Sequence, residues 1–141
     1  MALEIEMLGS TMAAAVTGVD LSGPIDDETA LQLRQVLTDH LVICIRNQHL
    51  SPRQLASAGR VFGPLKTFLL RGDRIEEAPE VSVVSNRPPM LDGKPLVQAK
   101  HWHTDDSYLV EPATLTLLHA VHLPQSGGDT EFINCYLVLD A

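Results

Sequence analysis

Two cysteines, no apolar run long enough for a membrane, and no concentration of basic residues set the first limits on this chain of 141 residues. Cys44 lies in an apolar stretch and Cys135 near the last residue, and two thiols so placed make no disulfide framework of the secreted kind. No apolar segment approaches the roughly 20 residues that a spanning helix requires. Met1-Ala2-Leu3-Glu4 lacks the basic region and apolar stretch of a signal peptide, so a cytoplasmic location is expected. Ten Lys and Arg stand against 18 Asp and Glu, for a net charge of −8, and the basic residues are scattered. That balance argues against nucleic acid or an anionic membrane as the main partner. What is present is 45% apolar and 20% charged residues, enough to bury a core, at the size of one domain or a piece of a larger one. There is no internal repeat and no low-complexity segment.

Along the chain, Leu3–Met7 and, more loosely, Ala15–Leu21 alternate apolar and polar and predict short strands. After the Gly23-Pro24 break, Asp26-Asp27-Glu28 puts negative charge at the start of a helix. Its stripe is Ala30, Leu33, Val36 and Leu37, and it ends near Asp39-His40. Leu41–Ile45 is continuously apolar and predicts a strand buried on both faces. Ser51 as N-cap, Pro52 at the first helical position and Gln54 three residues on predict a second helix. Leu50 and Leu55 are placed as its staple, Leu55, Ala58 and Phe62 as its buried face, and Gly63-Pro64 as its stop. Residues 66–80 read as loop, Val81–Ser85 as a strand, and Arg87–Pro95 as a long exposed loop. Gln98–His103, Ala113–Leu123 and Thr130–Ile133 read as further strands, and Ser126-Gly127-Gly128-Asp129 as a tight turn. Along Ala113–Leu123 the residues Leu115, Leu117, His119 and Val121 share one face, and Asn134 is placed to cap a helix at Cys135.

The densest group of potential metal ligands is His101-Trp102-His103-Thr104-Asp105-Asp106. On a strand, residues two apart face the same side, so His103 and Asp105 can grip one ion together. An imidazole and a carboxylate are two thirds of the facial triad of non-haem Fe(II) oxygenases, which leaves one face of the metal open. Spacing alone proves little: six histidines and ten aspartates in 141 residues yield roughly 0.4 chance His-x-Asp triplets. Read without their neighbours, His103 is a strand-end histidine and Asp105-Asp106 a solvated turn. A separate reading places His101, His103 and Asp105 on one strand face as a simple Zn²⁺ site.

The neighbouring residues decide between these. Trp102-His103-Thr104-Asp105 followed by Ser107-Tyr108 resembles the metal-binding segment of the TauD/TfdA family of Fe(II)- and 2-oxoglutarate-dependent dioxygenases. In the same order, Val16-Thr17-Gly18-Val19-Asp20-Leu21 is similar to the family's N-terminal signature, and Phe62-Gly63-Pro64-Leu65 to its helix-ending motif. Val84-Ser85-Asn86 is similar to the strand before the metal loop, and Pro124 through Thr130 to the turn after it.

The resemblance implies that His103 and Asp105 are iron ligands and that the Thr130 hydroxyl meets a carboxylate of 2-oxoglutarate. It implies an α+β, mainly β fold: a double-stranded β-helix, or jelly roll, with flanking helices, here of roughly six strands and ending before the last ones. Residues 1–141 are then one partial dioxygenase domain, with an N-terminal helix and strand region over 1–97 and the first part of the metal-binding jelly roll over 98–141. The cofactors implied are Fe(II) and 2-oxoglutarate as co-substrate. The reaction is hydroxylation of a small organic molecule, coupled to decarboxylation of 2-oxoglutarate to succinate and CO₂. No residue is assigned an acid–base catalytic role.

The family completes its site with a downstream histidine as third ligand and an arginine that pairs with 2-oxoglutarate, and this sequence ends before either. His40 and His49 lie in the N-terminal region, and His119 and His122 read as core or edge residues. The chain is therefore expected to be the N-terminal portion of a dioxygenase and a poor enzyme by itself. The alternative is a non-catalytic remnant that folds with a partner or as a homo-oligomer. In taurine-specific relatives a histidine and an asparagine bind the sulfonate. The matching positions here are Phe68 and Ala99, which disfavours taurine as the substrate.

Overall fold

Asp26 sits in extended conformation and its carboxylate accepts the Thr29 N–H at 2.8 Å and the Thr29 hydroxyl at 3.0 Å, which opens helix α1, Asp27–His40. Asp27 and Glu28 place charge against the first-turn N–H groups, where it is favourable. The helix ends at Leu41, which takes a positive φ of 66° while its N–H returns to the Leu37 carbonyl. A second helix, α2 over Pro52–Arg60, starts on a complete capping box. The Ser51 side chain accepts from Gln54 N, and the Gln54 side chain accepts from Ser51 N at 2.8 Å. Both helix starts lie where the sequence places them.

The computed structural model describes residues 2–67, 74–85, 90–91, 94–95 and 101–140. They fall into two compact units, Met1–Pro64 with His119–Ala141, and Leu65–Leu118. The expected boundary between 97 and 98 lies outside the described residues.

In the first unit, β1 (Glu4–Met7) pairs antiparallel with β2 (Ala14–Thr17), and β2 pairs parallel with β3 (Ile43–Ile45), in the order β1-β2-β3. The strand with both faces covered is the central one, β2, in which Ala14, Ala15 and Val16 are all buried. β3, expected to be buried on both faces, is a half-buried edge strand. Its continuous apolar run reflects packing against the core on one side, and the Leu41 turn consumes the first residues of the run.

The core is Val16, Leu21, Leu33, Val36 and Ala58, with Ile43, Ile45, Leu50, Val61 and Phe62 packed against it. Val16 and Leu33 are wholly buried, each burial contributing about 1.5–3 kcal/mol. In α2 the buried positions are Ala56, Ala58 and Gly59, while Leu55 is half-buried. Two side-chain amides and one guanidinium join the segments around this core. Gln48 accepts Leu21 N–H and donates to the Val19 and Arg46 carbonyls, Gln54 donates to the Ser22 carbonyl, and Arg34 donates to the Val61 carbonyl.

The second unit contains two small hairpins. β4 (Arg74–Ile75) pairs antiparallel with β5 (Ala78–Ser82) with a register shift at Arg74/Ile75, and β6 (Met90–Leu91) pairs with β7 (Lys94–Pro95). A strand is thus present near the expected Val81–Ser85 but starts and ends three residues earlier. Part of the expected loop 87–95 is paired.

Helix α3 (Cys135–Leu139) is capped by Asn134, as expected. The spans 113–123 and 130–133, expected to be strands, form none, and neither do 101–103 at the end of the expected Gln98–His103 strand. A strand exists only when its N–H and C=O groups find a neighbouring strand, and among the described residues none pairs with these. The class is α+β with small sheets. No helix among the described residues is long and apolar enough to cross a membrane.

Candidate metal centre

Residues 102–104 run without helical or strand pairing into a turn at 105–108. There Leu109 N–H donates to the Asp106 carbonyl at 2.9 Å and Asp106 adopts a φ of 56°. His103 and Asp105 therefore meet at the mouth of a turn rather than by strand alternation. His103 Nε2 lies 3.3 Å from Asp105 Oδ1, with the side chains 53% and 50% exposed.

The outer atoms of the pair are held. His103 Nδ1 lies 2.8 Å from the His101 carbonyl. A carbonyl only accepts, so Nδ1 carries the proton and, in the neutral ring, Nε2 presents its lone pair. Asp105 Oδ2 accepts the Thr116 hydroxyl at 2.6 Å, which leaves Oδ1 toward His103. Two lone-pair atoms then face each other at 3.3 Å, an arrangement that a cation or a shared proton relieves. Donors about 2.1 Å from a metal at right angles stand about 3.0 Å apart, so the observed pair is close to one edge of an octahedral site. A ligating histidine whose other ring nitrogen is tied to a carbonyl is also the usual form of such a ligand. On this geometry the two residues fit a divalent metal.

His101 contributes its carbonyl, not its ring, to this arrangement. Among the described residues no three His, Cys, Asp or Glu side chains come together as a metal-holding group. The reading of His101, His103 and Asp105 as a three-donor Zn²⁺ site is therefore corrected: the segment is not a strand, so the alternation that would align the two rings and the carboxylate is missing.

Thr130 lies in the first unit, exposed, outside any strand, after Gly127 and Gly128, whose φ values are 71° and 75°, and the chain bends at 125–126, at the start of the turn expected over Ser126-Gly127-Gly128-Asp129. His119 Nε2 lies 3.3 Å from the Gln48 carbonyl and is half-buried, whereas His122 is exposed. Phe68, Ala99 and Asn86 lie outside the described residues. Nothing in the sequence points to Thr116. It is an exposed threonine eleven positions from its partner, and only the fold brings the two together.

The described residues thus hold a half-exposed imidazole–carboxylate pair within an α+β chain. Comparison with known proteins gives the family. Residues 4–141 match the model of the taurine catabolism dioxygenase TauD, TfdA family, and the chain belongs to that family, which is Fe(II)- and 2-oxoglutarate-dependent.

It is 29% identical over 140 residues to an (S)-phenoxypropionate/alpha-ketoglutarate-dioxygenase of Sphingobium herbicidovorans, covering 99% of this chain and 48% of the relative. It is 31% identical over 143 residues to an alpha-ketoglutarate-dependent 2,4-dichlorophenoxyacetate dioxygenase of Cupriavidus pinatubonensis, covering 92% and 49%. The crystal structure of a taurine dioxygenase from Burkholderia xenovorans superposes with a TM-score of 0.63 at 25% identity, over 78% of this chain and 37% of that one. The chain spans about half the length of the curated relatives it matches.

Proposed function

We propose that this chain carries the metal-binding segment of an Fe(II)- and 2-oxoglutarate-dependent dioxygenase that hydroxylates a small organic substrate, with decarboxylation of 2-oxoglutarate to succinate and CO₂. The observation that supports this most is the convergence of His103 Nε2 and Asp105 Oδ1 at 3.3 Å, with their other polar atoms held by the His101 carbonyl and the Thr116 hydroxyl.

In this reading His103 and Asp105 hold ferrous iron, and the Thr130 hydroxyl donates to a carboxylate of 2-oxoglutarate. Iron with 2-oxoglutarate supplies the oxidising chemistry. The chain's own residues supply geometry. The Nδ1–H to carbonyl bond fixes the ring's orientation and turns Nε2 toward the metal position, and Asp105 adds the negative charge that favours a divalent cation over water. Neither residue moves a proton.

Residues 1–141 form part of one dioxygenase domain, with 98–141 entering its jelly roll, and the site of action is cytoplasmic. The substrate is a small molecule other than taurine, because a phenylalanine and an alanine stand at Phe68 and Ala99, where the taurine-specific relatives hold the sulfonate with polar side chains.

A second reading, a non-catalytic chain that acts with a partner or as a homo-oligomer, is favoured by the presence of only two converging donors among the described residues. Anaerobic visible spectra of the full chain with Fe(II), with and without 2-oxoglutarate, separate the two. The first reading expects the weak metal-to-ligand charge-transfer band of chelated 2-oxoglutarate, lost in His103→Ala. A folded chain that shows no band overturns the first reading in favour of the second, and size-exclusion chromatography then reads its assembly state.

A further inference from the structure

A carboxylate next to a metal has two ways to bind it: through one oxygen, leaving neighbouring coordination positions free, or through both, occupying them. In this chain the choice is set eleven residues downstream. Thr116 Oγ1 donates to Asp105 Oδ2 at 2.6 Å, a short O–H···O⁻ bond of the charge-assisted kind. The other oxygen, Oδ1, is the one facing His103 Nε2.

The turn at 105–108 leaves the Asp105 side chain half-exposed, with no buried packing to hold its rotamer, so an unrestrained carboxylate would rotate in solvent. We infer that Thr116 is a positioning residue for the metal site. Its hydroxyl occupies Asp105 Oδ2, fixes the carboxylate plane, and presents Oδ1 alone to a divalent cation held with His103. The role is an orienting one, since Thr116 touches neither metal nor substrate. It is paired on the histidine side by the His101 carbonyl, so each donor is oriented through its far atom. Because Thr116 is exposed, its methyl group fills no core space, and the hydroxyl is the part of the side chain with a defined partner.

This inference rests on the reading of His103 and Asp105 as metal ligands. The full chain is titrated with Mn(II) under nitrogen, and free Mn(II) is read by electron paramagnetic resonance for wild type, Thr116→Val, Thr116→Ser and His103→Ala. Thr116→Val is expected to weaken Mn(II) binding about tenfold or more, within the range for losing an outer-shell partner. Thr116→Ser, which keeps the hydroxyl, is expected to bind like wild type. Thermal midpoints of all variants without metal should match, because no core contact is lost. If Thr116→Val fails to fold, Thr116→Ala carries the same expectation. Undiminished binding by the variants lacking the hydroxyl overturns the positioning role while leaving the ligand assignment intact. Weak binding by Thr116→Ser overturns it as well, since the hydroxyl would then not be what matters. Wild type that binds no Mn(II), or a His103→Ala chain that binds as well as wild type, removes the ligand assignment and the positioning role with it.

Discussion

Gly18 sits between β2 and the loop that Gln48 secures, at a φ of 83°, and a Cβ built there would stand 2.7 Å from the Ala2 carbonyl oxygen. Two independent penalties therefore fall on any other residue at this position. One is a left-handed backbone, and the other is a collision with a main-chain atom that cannot swing away. The glycine in the Val-Thr-Gly-Val-Asp-Leu segment has a structural reason: it lets the chain before β1 pass close to the end of β2. Gly18→Ala is expected to destabilise the first unit by about 1–3 kcal/mol, read as a lower urea midpoint with the slope unchanged. An unchanged midpoint would show that the N-terminal segment does not press on this turn. The proposed metal centre obeys a similar residue-level logic. His103 and Asp105 could be picked from the sequence by their chemistry, but the atoms that orient them are a backbone carbonyl and a threonine hydroxyl, which no residue-type search selects.

At the scale of elements, what could be read from the sequence is what closes locally. The start of α2 is fixed within four residues by Ser51, Pro52 and Gln54, and that of α1 by Asp26 and Thr29, so both are where the sequence predicts them. The strands expected over 113–123 and 130–133 depend on partners distant in sequence, and alternation alone cannot supply those. The β6–β7 pairing falls in a span whose three prolines predict loop, although an Asp-Gly pair in the sequence between Leu91 and Lys94 is a hairpin signal.

The α1 cap also makes a pH prediction. The Thr29 N–H, and then the Thr29 hydroxyl, hold the Asp26 carboxyl below its ordinary value. A depressed folded value means that the charged form is the one the fold favours. The contribution is complete above the ordinary aspartate value of about 3.9 and is lost as pH falls through the lower folded value. Asp26→Asn keeps a capping oxygen without a titrating group. The thermal midpoint of wild type minus that of the variant is therefore expected to be constant from neutral pH down to about pH 5 and to shrink below it. A difference that stays flat to pH 2 would mean that the carboxylate charge adds nothing to the cap.

Over the molecule as a whole, apolar residues divide into two populations that should respond differently to mutation. Leu33 and Val16 are wholly buried in the core beneath the β1-β2-β3 sheet, whereas Leu137, Val138 and Leu139 on α3, with Phe132 and Ile133 before it, are half or more exposed. α3 has five residues, a single Asn134 cap and no buried position, so neither length nor packing holds it firmly. Exposed apolar side chains on a marginal helix bind hydrophobic dyes, and the native chain is expected to enhance ANS fluorescence at neutral pH. The double variant Leu137→Ser, Leu139→Ser should lower that enhancement while leaving the thermal midpoint in place, because Leu139 is already 83% exposed and supports nothing in the core. Leu33→Ala should do the reverse. It removes a fully buried side chain and is expected to cost about 2–5 kcal/mol, with dye binding rising only as the first unit loosens. Should the serine pair instead lower the midpoint as much as Leu33→Ala, the apolar residues of α3 would be buried in solution by contacts of their own, and size-exclusion chromatography at rising concentration would show whether a second copy provides them.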